Sequence, residues 1–150
     1  MFLIGPPASG KSTTRQDSYP SHRVIDPDEI KTSLPGYDPK NPSRVHLLSK
    51  KIARQEFEES VKEGTSFVYD TTGGNTERMI REMAEARAAG FTITLLRVHA
   101  PLKTCLRRNR ERERTVPDEV VREIWYEVQE AWEILYPLAD QTITVDTSSL

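Results

Sequence analysis

Cysteine is nearly missing from this sequence. Cys105 stands alone among 150 residues, which excludes an internal disulfide framework and any metal site built from several cysteines of the chain. Within a helical stretch it reads as inert filler. Long hydrophobic runs are missing as well, and none approaches the ~20 residues a membrane span requires. The opening MFLIG lacks the basic region, apolar region and cleavage site of an export signal, so a cytoplasmic location without membrane association is expected. A large positive excess is also lacking. The formal net charge is −2, which argues against gripping nucleic acid over the whole surface, because such binding depends on neutralising phosphates. Repeats, low-complexity tracts and linkers are absent, and 150 residues suffice for one domain but not two. Charged residues at 29% and hydrophobic ones at 36% fit a soluble globular chain rather than a disordered one.

What is present alternates between two periods. Phe2-Leu3-Ile4, His22 to Asp26, Ser66 to Asp70, Phe91 to Val98 and Gln141 to Asp146 are short apolar or β-branched runs and predict five strands. Between them, helices are expected from Lys11 to about Asp17, Asp28 to Leu34, Ser43 to Glu63, Thr76 to Ala89, Leu102 to Arg110 and Pro117 to Tyr136. Glycines stop two of them and Pro117 suits a first helical position. Strands alternating with helices call for an α/β domain with a five-stranded parallel sheet covered by helices on both faces. Its ligands would bind at the carboxyl ends of the strands, where Gly5, Asp26, Asp70 and Ala100 fall.

Gly5-Pro6-Pro7-Ala8-Ser9-Gly10-Lys11-Ser12 satisfies G-x-x-x-x-G-K-[ST] between a predicted strand and a predicted helix. Glycines let successive N–H groups turn toward phosphate oxygens, and the following helix adds its positive end. Lys11 would reach the β and γ phosphates and Ser12 would ligate Mg²⁺. Just past the second strand, Asp26 and Asp28 flank Pro27. Either can face the γ-phosphate and take the proton of an attacking hydroxyl, and either can cap the next helix. Asp28, with Lys31 one turn on, is the better placed. Asp70 ends the third strand, where a P-loop protein keeps a Mg²⁺-associated carboxylate, and Thr71 and Thr72 follow it. Asn75 can cap the next helix.

From Lys103 to Arg114 six basic residues (Lys103, Arg107, Arg108, Arg110, Arg112, Arg114) face two acidic ones (Glu111, Glu113), a local charge of +4. The run joins two helices at the ligand edge and reads as an Arg-rich lid over about 107–116, supplying cations to the transferring phosphate. His22, His46 and His99 share no metal-ligand spacing and read as structural, and Trp125 and Trp132 as packing residues.

The segments GPPASGKST, IDPDEIK, DTTGGNTERM and RRNRERERTVPDEVVREIW occur in the order and spacing of the kinase domain of bacteriophage polynucleotide kinase. Through IDPDEIKTSLPGYDP the chain is also similar to the zeta toxins. It thus resembles the P-loop kinases of the polynucleotide kinase and zeta toxin group over nearly its whole length. The resemblance implies a single nucleotide-kinase-like P-loop NTPase domain over 1–150, using ATP and Mg²⁺ with no further cofactor and no obligatory protein partner. It implies nucleotide contacts from Gly5, Ala8, Ser9, Gly10, Lys11, Ser12, Thr13, Arg108 and Arg112, and a metal held by Ser12 and Asp70. Asp28 would be the catalytic base, with Lys11 and Arg112 on the reacting phosphates. Asp26, Lys31, Asp70, Thr72 and Arg114 would lie on the acceptor side. Lys31 is a departure: polynucleotide kinases carry Arg there, toxins Lys, and Lys lacks the bidentate fork.

Three functions compete on this reading. The leading one is transfer of the γ-phosphate to a nucleic-acid hydroxyl, either a 5′ end or a hydroxymethylated base such as 5-hydroxymethyluracil in phage DNA. The second is a toxin-like kinase of a uridine-diphosphate amino sugar. The third, a nucleotide-binding switch without transfer, has no use for Asp28.

Overall fold

In the computed structural model, residues 1–40, 45–112 and 115–149 are described. Strands β1 (Phe2–Ile4), β2 (Arg23–Ile25), β3 (Phe67–Asp70), β4 (Thr94–His99) and β5 (Gln141–Asp146) alternate with helices α1 (Lys11–Ser18), α2 (Pro27–Ser33), α3 (His46–Glu63), α4 (Thr76–Ala88), α5 (Leu102–Glu111) and α6 (Asp118–Leu135). The strands form one sheet in the order β2-β3-β1-β4-β5, and every pairing is parallel. The chain winds toward one edge after β1 and toward the other after β3. The crevice of such a sheet opens above the carboxyl ends of the strands where the winding reverses, here β1 and β3.

Side chains alternate across the sheet as a two-residue period demands. Phe2, Ile4, Tyr69 and Leu95 face a core filled by Ala53 and Phe57 of α3, Met79 and Met83 of α4, and Val128, Ala131 and Leu135 of α6. Leu3, Val68, Leu96 and Val98 face the other way and pack with Val24, Ile143, Val145 and Tyr19, the last directly after α1. A third small cluster joins Ala100, Cys105 and Val121 beneath α5 and α6. Cys105 is fully buried and burial pushes its thiol pKa up, which keeps it protonated and unreactive. Trp125 donates to the Ala100 carbonyl at 2.9 Å, while Trp132 lies under the Arg97 guanidinium at 4.4 Å.

Some boundaries differ from the sequence reading. The fourth strand begins at Thr94 rather than Phe91, because the backbone of Ile93 is tied elsewhere: its N–H donates to the Asp140 carboxylate at 2.7 Å, and its carbonyl accepts from Asp140 and Gln141. Pro117 is the cap residue of α6 rather than its first helical one. The described part of α3 begins at His46, and Ser43, expected as its start, lies outside the described residues. Asn75 caps α4 by accepting from the Arg78 N–H. No helix among the described residues is long and apolar enough to cross a membrane.

Candidate active site

The loop after β1 is shaped for close backbone approach. A side chain at Gly5 would come within 2.8 Å of the Ser9 hydroxyl and 2.9 Å of the Lys11 stem. Ala8 and Gly10 adopt φ values of 62° and 99°, the left-handed turns that aim consecutive N–H groups to one side. Gly10 opens α1 without a side-chain cap, which leaves the positive helix end facing the loop. From behind, the loop is held by the Ser9 carbonyl, which accepts from Thr147 and Arg108. The Ser9 hydroxyl is buried and has no partner among the described residues. Curved amides, an uncapped helix end and an orphaned buried hydroxyl fit a phosphate chain.

Around this cradle the charges interlock. Lys11 Nζ lies 3.2 Å from Asp70 Oδ1 and 3.1 Å from the Thr71 carbonyl. The other Asp70 oxygen accepts from Arg15 at 2.7 Å, and the same guanidinium reaches Asp26 Oδ2 at 3.1 Å. Asp26 Oδ1 in turn accepts from the N–H groups of Asp28 and Glu29 at 3.0 and 3.2 Å, capping α2. Burial opposes the Arg15 charge, but the hydrogen bond to Asp26 and the carboxylates of Asp70, Asp26 and Glu29 outweigh it and raise its pKa. One buried arginine therefore ties the phosphate-loop helix, the end of β3 and the start of α2 together. Arg15→Leu should destabilise the fold by about 3 kcal/mol, near the low end for breaking a buried pair because Lys11 still faces Asp70. Denaturant unfolding checks this, and an unchanged midpoint would contradict it.

The structure places nearly all of the sequence-predicted residues along one cleft of about 840 Å³, running from the phosphate loop past Asp26, Asp28, Lys31, Asp70, Thr72 and Arg112. Asp28 is exposed in the first turn of α2, directed by the Asp26 cap. Thr72 holds the turn through the Gly74 N–H. A neighbouring hollow of about 340 Å³ is lined by Ala8, Gly10, Thr13, Arg108, Arg112 and Thr147. Arg108 is anchored there by the Thr147 hydroxyl at 3.1 Å. The first part of the expected lid, Arg107 to Glu111, is the end of α5, and Arg112 is its cap residue. Asn109 clamps the segment by bonding both backbone groups of Val116. Arg114 lies outside the described residues.

Sequence reasoning missed several residues in and behind the cleft, Lys50 among them. Arg15 falls one turn after Lys11 and could have been found from that spacing. Arg78 lines the cleft, 3.4 Å from the Thr71 hydroxyl, and is steadied by buried Glu82 at 3.1 Å and the Tyr69 ring at 5.4 Å. Thr147 follows the last strand with no motif to mark it. His46, read as structural, has its ring nitrogen 3.4 Å from Lys31 Nζ and lines the cleft. Lys11, Ser12, Asp70 and water could complete a Mg²⁺-nucleotide site. Mg²⁺ keeps waters and phosphate oxygens as ligands and needs no protein cage, so the lack of a three-residue metal cluster among the described residues is no obstacle.

A parallel sheet in this order with such a loop defines a kinase-like P-loop domain. The chain belongs to the AAA domain family, whose model matches residues 1–135. No curated protein matches it significantly. Among solved structures it is similar to a candidate kinase from Chloroflexus aurantiacus J-10-fl, with a TM-score of 0.69 at 17% identity, covering 99% of this chain and 88% of that one. A chain of the AvrRxo1-ORF1:ORF2 complex with ATP gives a TM-score of 0.73 at 20% identity over 98% of this chain, which spans only 54% of that neighbour. Shikimate kinase from Bacteroides thetaiotaomicron gives 0.60 at 19%, covering 96% and 84%. At these identities the likeness is one of fold.

Proposed function

We propose that the protein is an ATP-dependent kinase that phosphorylates a hydroxyl of a nucleic acid. The observation that carries this reading is that the phosphate loop and Asp28 line the same cleft, so donor and base can meet across one acceptor oxygen. The acceptor oxygen attacks the γ-phosphorus, the bond from that phosphorus to the β–γ bridging oxygen breaks, ADP leaves, and the hydroxyl proton passes to Asp28. Mg²⁺, when bound, would neutralise charge on the β and γ phosphates. The chain's own parts do the rest: loop amides and Lys11 hold the phosphates, the Asp26 cap orients α2, and Arg112 brings a cation to the cleft wall beside the loop. Further cations lining the cleft, Lys31, Lys50 and Arg78, favour an acceptor carrying phosphates. The whole-chain charge of −2 limits their number.

A radiolabelled-ATP assay over 5′-hydroxyl oligonucleotides, hydroxymethyluracil DNA with blocked 5′ ends and a uridine-diphosphate amino sugar tests the acceptor. Label is expected in a nucleic acid. If only two or three phosphates are engaged, log affinity for duplex DNA should fall with log salt at a slope of roughly −2 to −3. Label found only in the sugar nucleotide would move the protein to the toxin-like branch.

A further inference from the structure

Glu82 sits where an apolar residue would stabilise the fold better. It lies among the residues of α4 that are buried, with Met79, Met83 and Ala86, and 2% of its side chain is exposed. Burial pushes its pKa up, and the charges of Arg78 and Arg54 do not offset that cost. An acid whose pKa rises on folding destabilises the fold as it ionises, and an apolar side chain of similar volume would instead continue the core. The charge therefore serves something other than the packing of α4. Its partners are Arg54 of α3, 3.5 Å from Oε2, and Arg78, one turn earlier on α4, whose Nε lies 3.1 Å from Oε1. Arg54 already faces Glu58 and Glu85, whereas Glu82 is the one carboxylate that Arg78 pairs with among the described residues. Arg78 lines the cleft. Its end of the pair is unfinished: Nε and Oε1 stand at contact distance, yet neither buried atom makes an aligned hydrogen bond. The bond from its guanidinium to the Thr71 hydroxyl is long, at 3.4 Å, and the Tyr69 ring supports the group at 5.4 Å. A guanidinium carries more N–H donors than these contacts use. Thr71 also anchors Lys11, whose Nζ donates to its carbonyl at 3.1 Å, so the phosphate-loop cation and the α4 cation meet on one residue.

We propose that Arg78 is a catalytic residue that binds the phosphoryl group in transit between ATP and the acceptor, and that Glu82 is the positioning residue that aims it. The inference rests on the kinase reading and adds to it a cation from α4, outside the Arg-rich segment. In the step, the bond from the γ-phosphorus to the β–γ bridging oxygen breaks as the bond to the acceptor oxygen forms. The hydroxyl proton goes to Asp28, and Arg78 keeps its own protons and supplies charge alone. Charge spread over the equatorial oxygens in transit is matched by a planar fork that can meet two of them at once, which an ammonium cannot. Oxygens that take the terminal N–H groups leave Nε–H for Glu82 Oε1, so binding completes the bond that is misaligned in the free protein. A cation held in place by a buried carboxylate needs little reorganisation when the charge develops.

Aluminium fluoride with ADP and Mg²⁺ mimics the phosphoryl group in transit, so calorimetric titration with ADP and Mg²⁺, with and without aluminium fluoride, reads the site without turnover. The 5′-hydroxyl oligonucleotide, the hydroxymethyluracil DNA and the uridine-diphosphate amino sugar are present together, so that an acceptor can complete the mimic. The parent protein should bind ADP more tightly with fluoride than without it. Arg78→Gln should lose this gain, and its kcat in the labelling assay should fall by about 10²–10³-fold, while ADP affinity without fluoride and KM for ATP stay as in the parent. Arg78→Lys should recover part of the loss, through charge without the fork. Glu82→Gln should lower kcat by about tenfold with KM and melting temperature unchanged, whereas a merely structural carboxylate would move the melting temperature and leave kcat alone. Because Arg78→Gln leaves Glu82 with Arg54 alone, the double variant Arg78→Gln/Glu82→Gln removes the buried charge along with its partner. It should melt like the parent and still lack the fluoride gain. A full gain in Arg78→Gln or in the double variant would overturn this role and leave the kinase reading standing. So would a raised KM for the acceptor at unchanged kcat, which would place Arg78 on a phosphate of the acceptor. A parent protein that binds ADP without any gain from fluoride would remove both the role and the kinase reading.

Discussion

Lys11→Ala is expected to abolish phosphoryl transfer from ATP. The ammonium sits at the mouth of the loop, 3.2 Å from Asp70 Oδ1 and 3.1 Å from the Thr71 carbonyl. A triphosphate entering the loop competes with Asp70 for this cation. When it wins, Lys11 meets the β and γ phosphates, and Asp70 keeps its shorter bond to Arg15 at 2.7 Å. Arg15 therefore allows Lys11 to leave without stranding a buried carboxylate. Removing a preorganised charge that faces developing negative charge costs about 10²–10³ in rate, and here the same group also holds the ground-state triphosphate, so the loss in kcat/KM should be larger. The fold should survive, because Lys11 is not part of the apolar core and Asp70 retains Arg15 as a partner. Radiolabel transfer and ATP binding, measured on a variant with an unchanged melting profile, check this. Turnover near that of the parent protein would refute the phosphate-loop assignment.

The parts of this site that could be read from the sequence are those whose chemistry is contiguous in the chain. The phosphate loop is eight consecutive residues between a strand and a helix, and the structure gives them the left-handed turns at Ala8 and Gly10 that the motif demands. The strand end at Asp70 was legible, as was the one at Ile25 to within a residue of the expected Asp26, because a buried parallel strand is a short apolar run that stops at a polar residue. The strand order was not, since nothing local states that β3 lies between β1 and β2. Nor was the start of β4: Phe91 and Ile93 continue the apolar run, but Asp140, far along the chain, captures the Ile93 backbone. The Arg15 bridge and the Lys31–His46 contact are illegible for the same reason. Each joins helices or strands that the sequence separates by 11 to 55 residues, and only the packing of α2 on α3 and the placing of α1 beside the ends of β2 and β3 bring them together. Asp26 shows how a local and a distant role coincide. Its capping of α2 follows from an Asp-Pro start, while its bond to Arg15 does not.

Asp28→Asn is expected to leave ATP binding intact and slow transfer by ~10²–10⁴-fold, the usual loss when a general base is removed. Two carboxylates stand two residues apart at the start of α2, and their surroundings separate their roles. Asp26 has Oδ1 engaged by the N–H groups of Asp28 and Glu29 and Oδ2 by Arg15, so its lone pairs hold the helix and the bridge. Asp28 is exposed in the cleft, where an acceptor hydroxyl can approach it. The amide of Asn preserves size and hydrogen bonding but cannot accept the proton, so substrate should still bind while kcat falls. Asp26→Asn should act differently: it weakens the cap and the Arg15 bridge, lowering stability by about 1 kcal/mol, and slows transfer only through the orientation of α2. Measuring kcat, nucleotide affinity and melting temperature for both variants separates the two. If Asp28→Asn turned over at the parent rate while Asp26→Asn lost transfer without losing stability, the base would be Asp26 and the cap would be incidental.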